Sequence, residues 1–345
     1  MKAPFLNRRS FSLLAAAAIA APTLRAQGKL EKTKVAIAVG GKASFYYLPL
    51  TISEQLGFFK AEGLDVEISD FAGGAKALQA LIGGSADVVN GAYEHTINMQ
   101  AKNQFIESFV LMGRAPQIAM GVSTKTLARY KGLADLKGKK IGVTAPGSST
   151  NMVANLLLSR AGLKPTDVSF VGVGTSAGAI SAMRSGQIDA ICNIDPVMTM
   201  LEQKGEVRII SDTRTLKGTH DVFGGPMPAA CFYTHADYLK ANPNTCQALA
   251  NAVVRGLKWL QTAGPSDIIK TVPDSYLLGD RALYLAAFAK VREAIALDGI
   301  MPEDGARTAL KALASFEPAI KPERIDLGKT FTNDFARRAK EKYKA

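Results

Sequence analysis

A hydroxyl-rich turn holds the side chains of this sequence that are best placed for chemistry. The string TAPGSSTN (residues 144–151) follows an apolar run, KKIGV, and precedes a segment with helical periodicity, MVANLLLSR. A serine on such a turn can act as a nucleophile, or the turn can hold an anion through its hydroxyls and backbone N–H groups. Asn151 stands where the G-x-S-x-G motif needs its second glycine, and no S-x-x-K spacing follows. The pattern favours anion binding and predicts no catalytic residue.

The cysteines and histidines give no indication of metal or cofactor chemistry. Cys192, Cys231 and Cys246 are irregularly spaced, and the three histidines are far apart. Metal motifs place such ligands at short and regular spacings. We expect neither a metal nor a cofactor, and whether two of the cysteines form a disulfide stays open at this point.

An internal repeat positions the hydroxyl-rich turn. Residues 64–93 align without a gap on residues 166–195, and this offset of 102 matches Asp87 with Asp189. Each half of the repeat has the pattern of strand, turn, helix, strand, turn, helix and strand. A period of about 100 residues is too long for a solenoid. The repeat therefore predicts an α/β fold with two similar, doubly wound lobes.

The order of the elements implies that the chain crosses between the lobes twice. The string FVLMGRAPQIAMGVS, from Phe109, is typical of strand, turn and strand and leads to the second lobe, and two apolar runs after residue 206 lead back. We predict a two-segment hinge, with residues 27–122 and 224–345 in lobe 1 and residues 123–223 in lobe 2. The helical tail is expected to pack on lobe 1.

Four turns of the repeat begin helices and are expected to converge on one cleft. Ligands of open α/β sheets bind where strands end and helix N-termini offer unpaired N–H groups. The hydroxyls of the second lobe suit an oxyanion, and the aromatic side chains of the first lobe suit an apolar ligand body. Ordinary helix capping and core packing are the alternatives for any single turn. The candidate ligand-binding residues are Ser44, Phe45, Tyr46, Gly73, Gly74, Asn90, Gly91, Tyr93, Ser148, Ser149, Thr150, Thr175, Ser176, Asn193 and Asp195.

Acidic residues after the paired third strands leave two alternatives open. Glu94 and Asp195 either cap the helices that follow or bind a cationic part of the ligand. His95 is predicted to be a structural residue at a helix start.

The first 26 residues have the features of an export signal. They combine basic residues, an apolar run of about eleven residues and the small residue Ala26 at a cleavage position. The run is too short to span a bilayer. The pair Arg8 and Arg9 resembles a twin-arginine signal, and an ordinary Sec signal is the alternative. We expect a periplasmic, monomeric protein without a nucleic-acid partner, although its net charge is +12.

Four strings resemble the nitrate/sulfonate/taurine-type substrate-binding proteins of ABC importers. They are GFFKAEGLDVE, GGAKALQALIGGSADV, LKGKKIGVTAPGSST and SGQIDA, and the resemblance covers about residues 33–260. It implies a type II periplasmic-binding-protein fold whose hinge closes on a ligand and presents it to a membrane permease. It also implies that the turns selected by the repeat face the ligand.

The expected function is that of the extracytoplasmic solute-binding component of an ABC transporter. Its ligand would be a small organic anion, such as a sulfonate or a carboxylate, bound without chemical change, so the protein is not expected to be an enzyme. The alternative is an enzyme on the same scaffold, such as a lyase or a thiamine-pyrimidine synthase, although the cysteine-rich signature of those synthases is absent. A third candidate differs only in its partner, which would be a membrane sensor.

Overall fold

Two five-stranded sheets form the centre of the protein. The structure is a computed structural model that describes residues 28–345, so the predicted signal peptide (residues 1–26) lies outside the described residues. In the first sheet the strand order is β2-β1-β3-β10-β4, and in the second it is β7-β6-β8-β5-β9. The strands are β1 (Lys34–Val39), β2 (Asp65–Asp70), β3 (Val88–Ala92), β4 (Ile106–Leu111), β5 (Ile118–Ser123), β6 (Lys140–Val143), β7 (Ser169–Gly172), β8 (Ala190–Ile194), β9 (Val207–Asp212) and β10 (Ala230–His235).

Each sheet contains one antiparallel strand that arrives from the other lobe. The chain leaves the first sheet after β4, and β5 then pairs antiparallel with β8 and β9 of the second sheet. It leaves the second sheet after β9, and β10 pairs antiparallel with β3 and β4 of the first. The boundary predicted after residue 122 is therefore wrong, because it falls inside β5, whose backbone hydrogen bonds all belong to the second sheet.

The internal repeat describes equivalent structures in the two lobes. Strands β3 and β8 are related by the same offset of 102 residues that the alignment gives. The Asp87 carboxylate accepts a hydrogen bond of 2.8 Å from the N–H of Ala36, and the Asp189 carboxylate accepts one of 3.0 Å from the N–H of Lys140. These matched aspartates tie the start of each third strand to the first strand of its own sheet.

Fourteen α-helices in residues 28–345 pack on the two sheets and on one another. They are α1 (Leu48–Gln55), α2 (Phe58–Ala61), α3 (Gly74–Ile82), α4 (Glu94–Gln100), α5 (Ser149–Arg160), α6 (Ala177–Arg184), α7 (Val197–Gln203), α8 (Leu216–Phe223), α9 (Ala236–Ala241), α10 (Pro243–Thr262), α11 (Pro265–Thr271), α12 (Arg281–Val291), α13 (Glu303–Ala314) and α14 (Asp334–Tyr343). A 3-10 turn, Phe45–Tyr47, precedes α1.

The helical tail packs mainly on the first lobe, but not on it alone. Helix α10 begins with Pro243 at its first position, where the missing N–H costs nothing, and it packs against α1, α2 and α14. Helices α12 and α13 also contact α7 and α5 of the second lobe. The expectation that the whole tail lies on lobe 1 is wrong for these two helices, which bridge the lobes.

The described part of the chain contains neither a candidate membrane-spanning helix nor a candidate metal-ion site. No helix within residues 28–345 is both long enough and apolar enough to cross a membrane. The same residues contain no cluster of Cys, His, Asp and Glu that could hold a metal ion. The three cysteines are buried and free, so the disulfide left open by the sequence is not formed.

The matched glycines Gly84 and Gly186 allow a stability test of the repeat. Both have a φ of 75°, in the left-handed region that disfavours any residue with a Cβ. We expect Gly84→Ala and Gly186→Ala each to lower the free energy of unfolding by about 1–2 kcal/mol, measured by urea denaturation. Gly132→Ala is the control, because its backbone is extended and no atom lies within 4 Å of the added Cβ. Equal effects for the three variants would contradict this explanation.

Candidate functional site

The carboxyl ends of β1 and β6 face each other across a cleft between the lobes. The backbone N–H of Ala75, in the first turn of α3, donates a hydrogen bond of 2.9 Å to Ser148 Oγ at the start of α5. The N–H of Phe45 donates one of 3.1 Å to the carbonyl of Asp195. A Cβ added to Gly73 would lie 2.9 Å from the Cβ of Ala145. The turns selected by the repeat are therefore in direct contact, and glycine at position 73 permits this approach.

The three hydroxyls at the start of α5 have different roles. Ser148 occupies the N-cap position but makes no side-chain capping bond, because its oxygen accepts the bond from the other lobe. Thr150 Oγ1 accepts a hydrogen bond of 3.0 Å from the N–H of Thr144 and lies 3.0 Å from Thr144 Oγ1, which holds the turn together. Ser149 is half-buried, and its hydroxyl lies close to the Tyr46 hydroxyl and the Glu94 carboxyl of the first lobe rather than to the backbone of its own turn. Among these hydroxyls, that of Ser149 is available to a ligand.

A small cavity lies where the two lobes meet. Its volume is about 20 Å³, which is room for one water molecule, whereas ligand pockets usually measure about 300–1,000 Å³. A solute with several heavy atoms therefore requires the lobes to separate further. A hollow of about 650 Å³ lies at the outer end of β4, far from these turns. The cavity is lined by Gly40, Tyr46, Tyr47, Gly74, Ile118, Thr144, Ser148, Ser149, Thr150 and Ile194.

Two buried ionisable side chains adjoin this cavity from the first lobe. Glu94 and His95 begin α4 directly after β3, and each is only 2% exposed. Burial raises the pKa of the Glu94 carboxyl to about 6, while the nearby Ser149 hydroxyl lowers it to a smaller extent. Burial lowers the pKa of His95 to about 4, against a smaller opposite effect from the backbone of Gly147 in the second lobe. At neutral pH, Glu94 is thus largely ionised and His95 is neutral.

Several predicted site residues use their polar atoms inside the protein. The Tyr93 hydroxyl lies 2.6 Å from Thr330 Oγ1. Asn193 Nδ2 donates to the carbonyl of Gly174 at 2.9 Å, and Asp195 Oδ1 accepts from the N–H of Thr199 at 2.7 Å. These contacts fix loops and helix starts, so we leave Tyr93, Asn193 and Asp195 out of the proposed site.

Other predicted residues contact neighbouring residues or lie at the surface, and among them Asn90 keeps its Oδ1 atom without a hydrogen-bond partner. The Phe45 ring packs against Tyr284 at a centroid distance of 4.5 Å. Ser44 Oγ donates a hydrogen bond to the carbonyl of Gly41, and Asn90 Nδ2 donates one to the carbonyl of Cys231. Gly91 lies against the ring of Tyr233, and Thr175 lies against Gly41. Ser176 is exposed at the start of α6.

The lining residues that the sequence prediction missed have weak signals. Tyr47 continues the aromatic run and would have been found by extending the turn by one residue. Thr144 ends β6 and belongs to the same quoted turn. Ile118 and Ile194 are apolar strand residues, and nothing in the sequence separates them from core positions.

A buried arginine organises the return crossing between the lobes. Arg214 follows β9 and its side chain is completely buried. It forms ion pairs of 2.6 Å with Asp212, 3.0 Å with Glu202 and 3.6 Å with Asp195. Lys290 of the bridging helix α12 pairs with the same Glu202 at 2.9 Å. The cluster connects the cleft residue Asp195, the crossing segment and the tail of the first lobe.

Comparisons with known proteins show relatives along most of the chain. Residues 28–272 match the model of the NMT1-like family. A solved structure of a Bordetella bronchiseptica protein is 62% identical, covers 92% of this chain and 100% of its own, and superimposes with a TM-score of 0.91. The putative binding protein YtlA of Bacillus subtilis is 25% identical over 260 residues, which is 72% of this chain and 71% of that protein.

More distant relatives include an alkanesulfonate-binding protein and a synthase. The alkanesulfonate-binding protein SsuA of Xanthomonas axonopodis, solved with bound MOPS, is 18% identical, covers 88% of this chain and 99% of its own, and has a TM-score of 0.66. That likeness confirms the predicted type II periplasmic-binding-protein fold. A 4-amino-5-hydroxymethyl-2-methylpyrimidine phosphate synthase of Schizosaccharomyces pombe is 22% identical over 65% of this chain and 64% of its own length.

The Arg214 cluster gives a test of the crossing. We expect Arg214→Leu to lower the free energy of unfolding by about 3–5 kcal/mol, because it leaves the buried Asp195 carboxylate without its cation. Adding Asp195→Asn is expected to restore part of this loss. Arg184→Leu is the control, since Arg184 is 49% exposed in its pair with Glu206, and such pairs contribute about 0–1 kcal/mol. Guanidinium denaturation measures all three; a loss for Arg214→Leu no larger than the control's would contradict the assignment.

Proposed function

Because the chain belongs to the NMT1-like family, we propose that it is the extracytoplasmic solute-binding component of an ABC transporter. It would bind a small organic solute between its lobes and deliver it unchanged to a membrane permease. The observation that carries the proposal is the contact of two helix starts across the cleft, at Ala75 and Ser148. Two segments connect the lobes, so a hinge motion is able to open and close this contact.

The start of α5 supports an oxyanion on the solute. Its unpaired N–H groups carry partial positive charge, and Ser149 adds a hydroxyl that is not used to cap the helix. No lysine or arginine lines the cavity, so the helix start is the positive element available there. This agrees with the organic anion expected from the sequence, which remains a proposal.

The adjacent pair of Glu94 and His95 favours a second candidate function. Two buried ionisable groups beside a cleft are what acid-base catalysis requires, and the sequence alone did not identify such a pair. An enzyme of the pyrimidine synthase type is therefore the alternative that an experiment must separate from a solute receptor. The two functions share a cleft and differ in whether the solute leaves it unchanged.

A ligand screen tests the receptor proposal. Thermal-shift assays followed by native mass spectrometry would cover sulfonates, aliphatic and aromatic carboxylates, nitrate and pyrimidines. We expect one solute to bind at a ratio of one to one and to be recovered intact after denaturation. Its chemical conversion on prolonged incubation would contradict the receptor function and favour the enzyme.

The role of the α5 start is tested by a single substitution. We expect Ser149→Ala to weaken binding of that solute by about fivefold, because one hydrogen bond contributes about 1 kcal/mol. Ser159→Ala on the same helix is the control, since its hydroxyl bonds to the carbonyl of Leu156 away from the cleft. Unchanged affinity of Ser149→Ala in isothermal titration would remove this turn from the site.

A further inference from the structure

Three buried polar atoms of the first lobe lack partners around the cavity. Within residues 28–345, Tyr46 Oη, Glu94 Oε1 and His95 Nε2 make no hydrogen bond of ordinary geometry, although the Ser149 hydroxyl lies close to Tyr46 and Glu94 and the Gly147 backbone lies close to His95. Tyr46 lines the cavity, as does Ser149, and the Glu94 carboxyl lies near both of them. A buried polar atom without a partner costs about 1–3 kcal/mol, so such atoms at a cleft indicate a ligand contact.

The His95 ring reaches the same cavity from the side of α3. A Cβ on the lining residue Gly74 would lie 3.4 Å from His95 Cε1 and 3.4 Å from the Tyr47 hydroxyl. The Nδ1 atom of His95 is 2.9 Å from the Tyr233 hydroxyl, which fixes the ring and leaves Nε2 without a partner. Of the three side chains, Tyr46 lines the cavity, whereas Glu94 lies beside the lining residue Ser149 and His95 beside the lining residue Gly74.

The charge of Glu94 limits which solutes fit this wall. Its carboxylate lies near Ser149, at the same helix start that would hold an oxyanion. Two negative groups at one helix start repel each other strongly in a buried site. An oxyanion can occupy this place beside an ionised Glu94 only when a donor group of the solute pairs with that carboxylate.

We propose that Glu94, with Tyr46 and His95, forms a subsite for an amino or ring N–H group of the solute. This inference rests on the proposed function and narrows the solute class to small organic acids that also carry such a donor. The donor hydrogen-bonds to the Glu94 carboxylate, and the Tyr46 hydroxyl and His95 Nε2 surround it. A simple carboxylate or sulfonate leaves Glu94 unpaired and binds more weakly.

Matched pairs of solutes test the subsite directly. The probes are β-alanine with propionate, 4-aminobutyrate with butyrate, 2-aminobenzoate with benzoate, and taurine with ethanesulfonate, titrated calorimetrically at pH 7.5. We expect an amino-bearing member to bind at least tenfold more tightly than its amino-free partner. Glu94→Gln should weaken that member by about ten- to hundredfold, since hydrogen bonds to charged groups are the strong ones, and it should not weaken the amino-free partner. Tyr46→Phe should have a smaller effect in the same direction.

Glu107→Gln is the matched control for the loss of a partly buried carboxylate. Glu107 lies in β4 of the same lobe, next to Thr234 at the outer end of the sheet, and burial also raises the pKa of its carboxyl. It is expected to change affinity less than twofold. Melting temperatures of both variants show whether they fold, and a folded Glu94→Gln is expected because the substitution removes a buried charge.

The pH dependence of binding has opposite signs for the two solute classes. Burial raises the pKa of Glu94 to about 6, so the free protein takes up a proton as the pH falls from 7.5 to 5.5. Binding of an amino-bearing acid then weakens, whereas binding of an amino-free acid strengthens, and both become independent of Glu94 in Glu94→Gln. The groups that face Glu94 are Tyr46, Tyr47, Cys231 and Tyr233. Burial raises their pKa values above their ordinary values, so they do not titrate between pH 5.5 and 7.5.

The outcomes separate this inference from the receptor proposal. If an amino-free acid binds wild-type protein as tightly as its partner, or binds Glu94→Gln more tightly, the donor subsite is overturned and the receptor function stands. If none of the eight probes binds, the subsite is overturned for organic acids, and the wider ligand screen decides the receptor function. The subsite is supported if the wild-type protein binds an amino-bearing member more tightly than its amino-free partner and if Glu94→Gln abolishes this preference.

Discussion

The exchange of one antiparallel strand between two sheets is the constraint on which the site depends. Strand β5 completes the second sheet after the chain leaves the first, and β10 completes the first after the chain returns. Both crossings are therefore anchored by backbone hydrogen bonds on each side, so the lobes can rotate about the two crossings while each sheet stays intact. The carboxyl ends of β1 and β6 are consequently held face to face, and the starts of α3, which follows β2, and of α5, which follows β6, meet in the cleft.

The cleft combines two kinds of electrostatic element that oppose each other. The start of α5 offers backbone N–H groups and the Ser149 hydroxyl, which favour negative charge. Glu94 brings a negative charge to the same place from the other lobe, and burial opposes that charge. A solute that satisfies both must carry an acceptor and a donor. The ion pairs of Arg214 and Lys290 hold the crossing behind this cleft and supply no charge to its lining.

The sequence predicts the architecture better than the directions of side chains. The repeat finds β3 and β8, the helix starts and the contact of the turns, because these follow from backbone periodicity and shared strand positions. The repeat does not reveal that β5 belongs to the second sheet, because β4 and β5, the strands on either side of the first crossing, have the same apolar pattern. It also does not show that the Tyr93 hydroxyl meets Thr330, 237 residues away along the chain. Glu94 could be noted as acidic from the sequence, but its burial and its missing partner depend on the closed packing of the lobes.

Closure of the lobes on a solute is the central claim, and one distance measurement tests it most directly. Gln79 on α3 and Ser181 on α6 are exposed on opposite lobes, and the native cysteines are buried, so spin labels can be placed at Gln79→Cys and Ser181→Cys. Pulsed electron–electron double resonance would measure the distribution of distances between the two spin labels. It would be recorded before and after addition of the solute found by the ligand screen. We expect a broad distribution that becomes narrower and shorter when the solute binds. Identical distributions with and without saturating solute would contradict the account.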